Sequence, residues 1–113
     1  MPYTIDEIRI KAIPIAIRYG VDTLSLFGSY ARGEADAESD LDFLIQKGSM
    51  KGLLSYSGMI AELEDEFQCH VDLVIENAIK DKQFLEEIGK DEVKLYERQE
   101  ARTDNTAKDT PIL

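Results

Sequence analysis

The 113-residue sequence contains one cysteine, one histidine and no tryptophan. A disulfide needs two thiols, so Cys69 forms none within the chain, and metal sites built on paired cysteines are excluded. Apolar runs extend over only a few residues, and the chain start has no basic segment followed by an apolar one. We therefore expect no signal peptide, no membrane span or membrane partner, and a cytoplasmic location.

Basic residues are also scarce. Thirteen lysines and arginines against 23 aspartates and glutamates give a net charge of −10. This charge repels a phosphate backbone and argues against direct nucleic-acid binding. A basic protein partner or a metal–nucleotide complex suits it better, although acidity also keeps a small domain soluble. With 43% apolar and 32% charged residues, the composition is that of one folded domain.

Hydrophobic periodicity divides most of the chain into helices and strands. We expect helices over 4–19, over about 52–67 and from a cap at Asn77 or Asp81 to Ile88, where Gly89 would close the last one. A helical turn is expected over 29–33, and strands over 21–28, 40–46, 70–76 and 92–97. Pro14 is expected to kink or split the first helix. This order predicts an α/β (α+β) fold in which helices pack on one face of a sheet of up to four strands. Residues 1–97 are the expected domain and 98–113 a polar, mobile tail.

Three aspartates fall in phase on two of the predicted strands. Alternate side chains of a strand share a face, so Asp40 and Asp42 point away from the apolar row of their strand. The same rule sends Asp72 to that side if the two strands are neighbours. Carboxylates on adjacent strands repel each other unless cations or protons neutralise them. Magnesium takes carboxylate, water and phosphate oxygens, and two such ions assist phosphoryl-type transfer.

Gly28 and Ser29 follow the first predicted strand. Glycine allows a phosphate to approach the backbone, a turn that opens a helix presents free amide groups, and the serine adds a hydroxyl. Taken alone, Gly-Ser also fits an ordinary turn, and Asp-x-Asp also fits a solvated strand face. The conjunction of both motifs with a third aspartate favours a site where phosphate and metal meet.

The stretch FGSYARGEADAESDLDFLIQ combines Gly-Ser at 28–29, ten intervening residues and Asp-Leu-Asp at 40–42, and Asp72 follows later. This pattern resembles the nucleotidyltransferase superfamily related to DNA polymerase beta. It is especially similar to the minimal nucleotidyltransferases (MNT), the antitoxins of HEPN/MNT toxin–antitoxin pairs. The resemblance covers roughly residues 4–97.

The resemblance implies a nucleotidyltransferase fold with a mixed sheet, and an antitoxin that transfers AMP from ATP to a tyrosine of a HepT-like HEPN ribonuclease toxin. Gly28 and Ser29 would hold the nucleotide phosphates, and Asp40 and Asp42 would bind magnesium, with two ions expected. Asp72 would complete the metal site and help to deprotonate the attacking hydroxyl, whose ordinary pKa is near 10. A hetero-oligomer with the toxin is implied. The alternative is a non-catalytic antitoxin that neutralises the toxin by binding alone.

Other residues near these motifs have two interpretations each. Arg32 could contact a phosphate or pair with a carboxylate. His70 could touch the acidic site or simply begin a strand, and Tyr30 could stack on a base or pack against the sheet. The acidic run at 62–66 could face a basic partner or solvent.

Overall fold

The computed structural model describes residues 2–98 as a sheet covered by helices. Its elements are α1 (Ile5–Tyr19), β1 (Thr23–Phe27), α2 (Gly28–Arg32), β2 (Leu41–Gln46), α3 (Gly52–Phe67), β3 (Val71–Ile75), a 3₁₀ turn (Glu76–Ala78), α4 (Lys82–Asp91) and β4 (Val93–Glu97). Every predicted helix and strand is therefore present. The tail predicted for 98–113 lies, apart from Arg98, outside the described residues, and the domain limits stay a prediction.

The four strands form one mixed sheet in the order β3-β2-β1-β4. β1 pairs antiparallel with both β2 and β4, whereas β2 and β3 run parallel. Parallel neighbours need a long crossover connection, and α3 supplies it. The predicted mixed sheet is confirmed. Within residues 2–98, no helix combines the length and apolar character that a bilayer crossing requires.

The main core lies between one sheet face and the helices α1 and α3. The residues at alternate positions of β2, namely Leu41, Phe43 and Ile45, are all fully buried. Phe43 contacts Phe67 at the end of α3, with 6.1 Å between ring centroids. Because these apolar side chains take one face of β2, Asp42 and the buried Leu44, which alternate with them, point to the other face.

Local interactions define both ends of α1. The Thr4 hydroxyl accepts the amide of Glu7, and the Glu7 carboxylate accepts the amide of Thr4, which completes a capping box. Gly20 ends the helix in the left-handed conformation at φ 76°. The capping box and the left-handed glycine thus set the limits of this helix.

Two other local predictions are wrong in part. α1 is not split at Pro14, which lies exposed inside one continuous helix. An exposed proline leaves the carbonyl one turn earlier accessible to water, so the missing hydrogen bond costs less there. α4 begins at its N-cap Asp81 as one of the two predicted choices, but it continues past Gly89 to Asp91. The glycine is exposed and remains helical instead of adopting the left-handed conformation.

The buried face of α3 provides a direct test of this packing. Leu63 is fully buried, whereas Leu54 in the same helix is 90% exposed. We expect Leu63→Ala to lower the free energy of unfolding by about 2–5 kcal/mol, because it removes core contacts and leaves a cavity. The matched substitution Leu54→Ala should change it by less than about 0.5 kcal/mol. Urea denaturation measures both, and equal effects would contradict the assigned core.

Candidate active site

Three acidic side chains meet where β2 and β3 begin. In the parallel pairing of these strands, Asp42 lies directly opposite Asp72. Asp40 comes immediately before β2, and one ligand atom each from Asp40, His70 and Asp72 lies within 4.8 Å of the other two. The fold therefore brings the three sequence-predicted aspartates together, while their chemical roles stay predictions.

Asp42 lies in a partly buried and negatively charged environment. Partial burial, the hydrogen bond and negative charge of Asp72 and the charge of Asp40 together raise the pKa of Asp42 to about 6. Arg32 opposes the shift. A carboxyl group whose pKa is raised in this way is partly removed from water and lies close to other negative charge. Such a cluster of charge in a cleft is typical of a functional site.

Gly28 lies against the carboxylate of Asp42. Its φ of +76° is in the left-handed region, and a Cβ atom added there would overlap Asp42 Oδ2 and lie 3.1 Å from Cγ. The preceding residue, Phe27, pairs with Asp42 across β1 and β2. Only glycine satisfies both the dihedral angle and the close approach. This contact joins the Gly-Ser motif to the acidic cluster.

The first turn of α2 offers free polar groups beside the cluster. Its N-cap, Phe27, provides no side-chain hydrogen bond to the helix amides. Among residues 2–98, the Ser29 hydroxyl makes no hydrogen bond. Unsatisfied amides at the start of a helix favour an anion such as a phosphate. The fold thus places Gly28 against Asp42, and the roles of Gly28 and Ser29 toward a phosphate stay predictions.

A cleft of about 460 Å³ adjoins the acids, and its lining includes Asp42, Asp72, Phe27 and Phe84. This volume is within the range of small-molecule sites. A larger groove, of about 640 Å³, lies between α1 and α3 and includes none of the three aspartates. We identify the smaller cleft as the candidate site because Asp42 and Asp72 line it.

Arg32 and Tyr30 take structural contacts. Arg32 pairs with Glu34 at 2.9 Å and with Asp91 at 3.4 Å. The hydrogen bonds to these two carboxylates raise the pKa of Arg32. Tyr30 is 7% exposed and packs in the main core. Arg32 therefore pairs with carboxylates, and Tyr30 packs against the sheet.

His70 touches the acidic cluster. Its Nε2 lies 3.1 Å from Asp72 Oδ1, and its Nδ1 lies 3.3 Å from Glu64 Oε2. The hydrogen bond to Asp72 is the main cause of a raised pKa for His70. In the sequence, Glu64 is one member of the acidic run at 62–66, and no sequence signal separates it from its neighbours. Its proximity to His70 follows from the fold, because α3 ends just before β3 begins.

The rest of the acidic run at 62–66 is largely engaged within the chain. Glu62 pairs with Arg18 and accepts the hydroxyl of Tyr19 at 2.7 Å. Glu66 pairs with Lys11 at 3.3 Å. These ion pairs connect α3 to α1, so this run helps to hold the two helices together as well as facing solvent.

The residues at the cleft fit a divalent cation. Asp40, Asp42 and Asp72 present hard carboxylate oxygens, which are the donors that Mg²⁺ prefers. Burial first, and then Asp72 and Asp40, raise the pKa of Asp42 despite the opposing charge of Arg32, so its ionised form is disfavoured without a cation. A bound cation would remove the repulsion that raises it.

Comparison with known proteins gives a family match over most of the chain. The family model described as Nucleotidyltransferase domain matches residues 11–96. A Methanocaldococcus jannaschii protein, provisionally named a protein adenylyltransferase, is 43% identical over 75 residues, which are 66% of this chain and 81% of that protein. Protein adenylyltransferase MntA of Thermococcus cleftensis is 38% identical over 63 residues, 56% of this chain and 64% of that protein.

A solved structure shares the fold. A chain in the complex of a tri-AMPylated Shewanella oneidensis HEPN toxin with an MNT antitoxin superposes with a TM-score of 0.65 at 16% sequence identity. The match covers 87% of this chain and 76% of that chain.

Two glycines allow the contact at Asp42 to be tested. Gly28 and Gly33 have nearly the same φ, +76° and +77°, but an added Cβ at Gly33 would meet nothing within 4 Å. Both alanine substitutions should cost about 1–2 kcal/mol of stability through left-handed strain. Only Gly28→Ala should also displace the Asp42 carboxylate and weaken Mg²⁺ binding about tenfold or more, measured by calorimetry. Equal Mg²⁺ affinities in the two variants would contradict this contact.

The raised pKa of Asp42 predicts a pH-dependent stability without metal. The folded state holds a proton on this group up to about pH 6, whereas the unfolded chain releases it near pH 4. Its contribution to stability is therefore present below pH 4 and lost as the pH rises towards 6. In chelator at pH 7, Asp42→Asn should be more stable than wild type by about 1 kcal/mol, allowing for solvent screening.

Denaturation from pH 4 to pH 8 measures this difference, which should shrink towards pH 4. Asp65→Asn, at an exposed position of α3, is the control for loss of one negative charge. The interpretation fails if both variants give the same profile, or if Asp42→Asn is the less stable protein at pH 7.

Proposed function

Because this chain belongs to the nucleotidyltransferase domain family, and is a nucleotidyltransferase, we propose that it transfers AMP from ATP to a tyrosine hydroxyl of a HEPN-domain toxin. Modification of the toxin would neutralise it, which makes the chain an adenylyltransferase antitoxin. The observation that carries the proposal is the pairing of Asp42 with Asp72 beside Gly28, since it joins carboxylates to a place where a phosphate can approach.

The proposed reaction has a simple balance of atoms. The tyrosine oxygen forms a bond to the α-phosphorus of ATP, the bond from that phosphorus to the bridging oxygen breaks, and diphosphate leaves. The hydroxyl proton passes to a carboxylate or to water. Mg²⁺, when bound, neutralises phosphate charge and lowers the pKa of the attacking hydroxyl.

Each residue of the site has a proposed task. Asp40, Asp42 and Asp72 hold the metal, with two ions proposed. Gly28 leaves space for the phosphates, and Ser29 donates its hydroxyl to one of their oxygens. Asp72 is the proposed proton acceptor, because its side chain is 53% exposed at the mouth of the cleft, where an acceptor tyrosine can enter.

The partner is proposed from two kinds of support. The relatives are named protein adenylyltransferases, and the chain that shares the fold is in a complex with an AMPylated HEPN toxin. The net charge of −10 also suits a basic protein surface better than a nucleic acid. A hetero-oligomer with the toxin follows from this proposal.

Transfer of label from α-labelled ATP to a HEPN-domain protein encoded beside this chain's gene tests the function. Wild type should label the partner in the presence of Mg²⁺. An Asp40→Asn, Asp42→Asn double variant should reduce labelling at least about 100-fold, because it removes metal ligands at the reacting phosphate. Tandem mass spectrometry identifies the modified residue, which should be a tyrosine.

A second double variant, Asp6→Asn with Asp65→Asn, has the same change in charge on exposed helix positions and should label normally. Absence of labelling by wild type would refute the transferase proposal. If the Asp40, Asp42 double variant still protects cells from the toxin, the neutralisation is by binding alone. Loss of protection while the complex stays intact would eliminate that alternative.

A further inference from the structure

The cluster at the mouth of the cleft includes a side chain that the proposed transfer does not use. One ligand atom each from Asp40, His70 and Asp72 lies within 4.8 Å of the other two, and all three residues are exposed. An ion with its remaining water ligands can therefore reach them from solvent. His70 contributes a nitrogen donor to a group that otherwise consists of carboxylate oxygens.

The imidazole ring of His70 is held between two carboxylates. Its Nε2 is hydrogen-bonded to Asp72 Oδ1 at 3.1 Å, and its Nδ1 lies at an ion-pair distance of 3.3 Å from Glu64 Oε2. Glu64 Oε2 is itself fixed, because it accepts the backbone amide of Val71 at 3.1 Å. Metal-binding histidines usually donate their second ring N–H to a carboxylate, which fixes the tautomer and the ring orientation. Glu64 is the carboxylate that lies within ion-pair distance of Nδ1.

A nitrogen donor changes which ions the cluster prefers. Mg²⁺ favours oxygen ligands, whereas imidazole suits the later first-row ions such as Co²⁺, Ni²⁺ and Zn²⁺. A site of aspartates alone discriminates weakly in favour of these ions. The same aspartates with His70 retain their ability to hold Mg²⁺ and gain affinity for ions that accept nitrogen.

We propose that His70, through Nε2, joins Asp40 and Asp72 as a ligand of a divalent first-row transition ion, and that Glu64 positions its ring. The proposal deepens the proposed function by naming a further ligand at its metal site and the class of ion that this ligand selects. It concerns binding of the metal alone, and neither ATP nor the partner is needed to test it.

The first experiment is a Co²⁺ titration of the tag-free, metal-free chain. The visible absorption of bound Co²⁺ monitors binding, and competition with Mg²⁺ gives the relative affinity of the two ions. His70→Gln should weaken Co²⁺ binding about tenfold or more and Mg²⁺ binding less than about threefold. Glu64→Gln should also weaken Co²⁺ binding while leaving the ligand itself in place. Glu66→Gln removes the same charge from the same helix, and should leave both affinities unchanged.

Nuclear magnetic resonance of the imidazole is the second experiment, and it uses the wild-type chain. His70 is the only histidine, so its ring nitrogens are assigned without further variants. Saturation with Zn²⁺ should shift the Nε2 resonance strongly while Nδ1 keeps its proton. This readout decides the question even if a substitution at position 70 disturbs the fold.

Equal losses of Co²⁺ and Mg²⁺ affinity in His70→Gln, or unchanged imidazole resonances at saturating Zn²⁺, would overturn the proposal. The result is separable from that of the labelling experiment. Label transfer without a role of His70 in Co²⁺ binding rejects this inference alone. Co²⁺ binding that depends on His70, in a chain that transfers no label, rejects the proposed function alone.

Discussion

The parallel pairing of β2 with β3 is the constraint on which the site depends. This register sets Asp42 opposite Asp72, and a shift by one residue would turn every side chain of one strand to the other face. The apolar alternation fixes the register, because Phe43 and Leu73 must remain in the core at the same time. Burial on one face of the sheet thus determines charge placement on the other.

That placement opposes folding, so the stability has to come from elsewhere in the molecule. The core between the sheet and the helices α1 and α3 provides the burial that offsets the repulsion among the acids. The ion pairs between these two helices lie on the surface, where each contributes little. A bound cation changes this balance, because it stabilises the folded state without altering the core.

The strand phase of Asp40, Asp42 and Asp72 could be predicted from sequence, because alternation is a local property of a strand. The contact of Glu64 with His70 could not. It depends on Gln68, which ends α3 at a positive φ of 56° and turns the chain into β3. Gly89 shows the opposite failure, since the helix continues past this local stop signal to Asp91, whose carboxylate pairs with Arg32 at 3.4 Å.

The crossover through α3 also has a consequence for the order of folding. Asp42 and Asp72 are 30 positions apart in the chain, and their strands meet only after that segment has closed on the sheet. A nascent chain that has formed only the β1–β2 hairpin carries no Asp72 opposite Asp42, and so does not yet experience the full repulsion. Because the parallel pair has a high contact order, the repulsion between Asp42 and Asp72 arises only when the core that offsets it has formed.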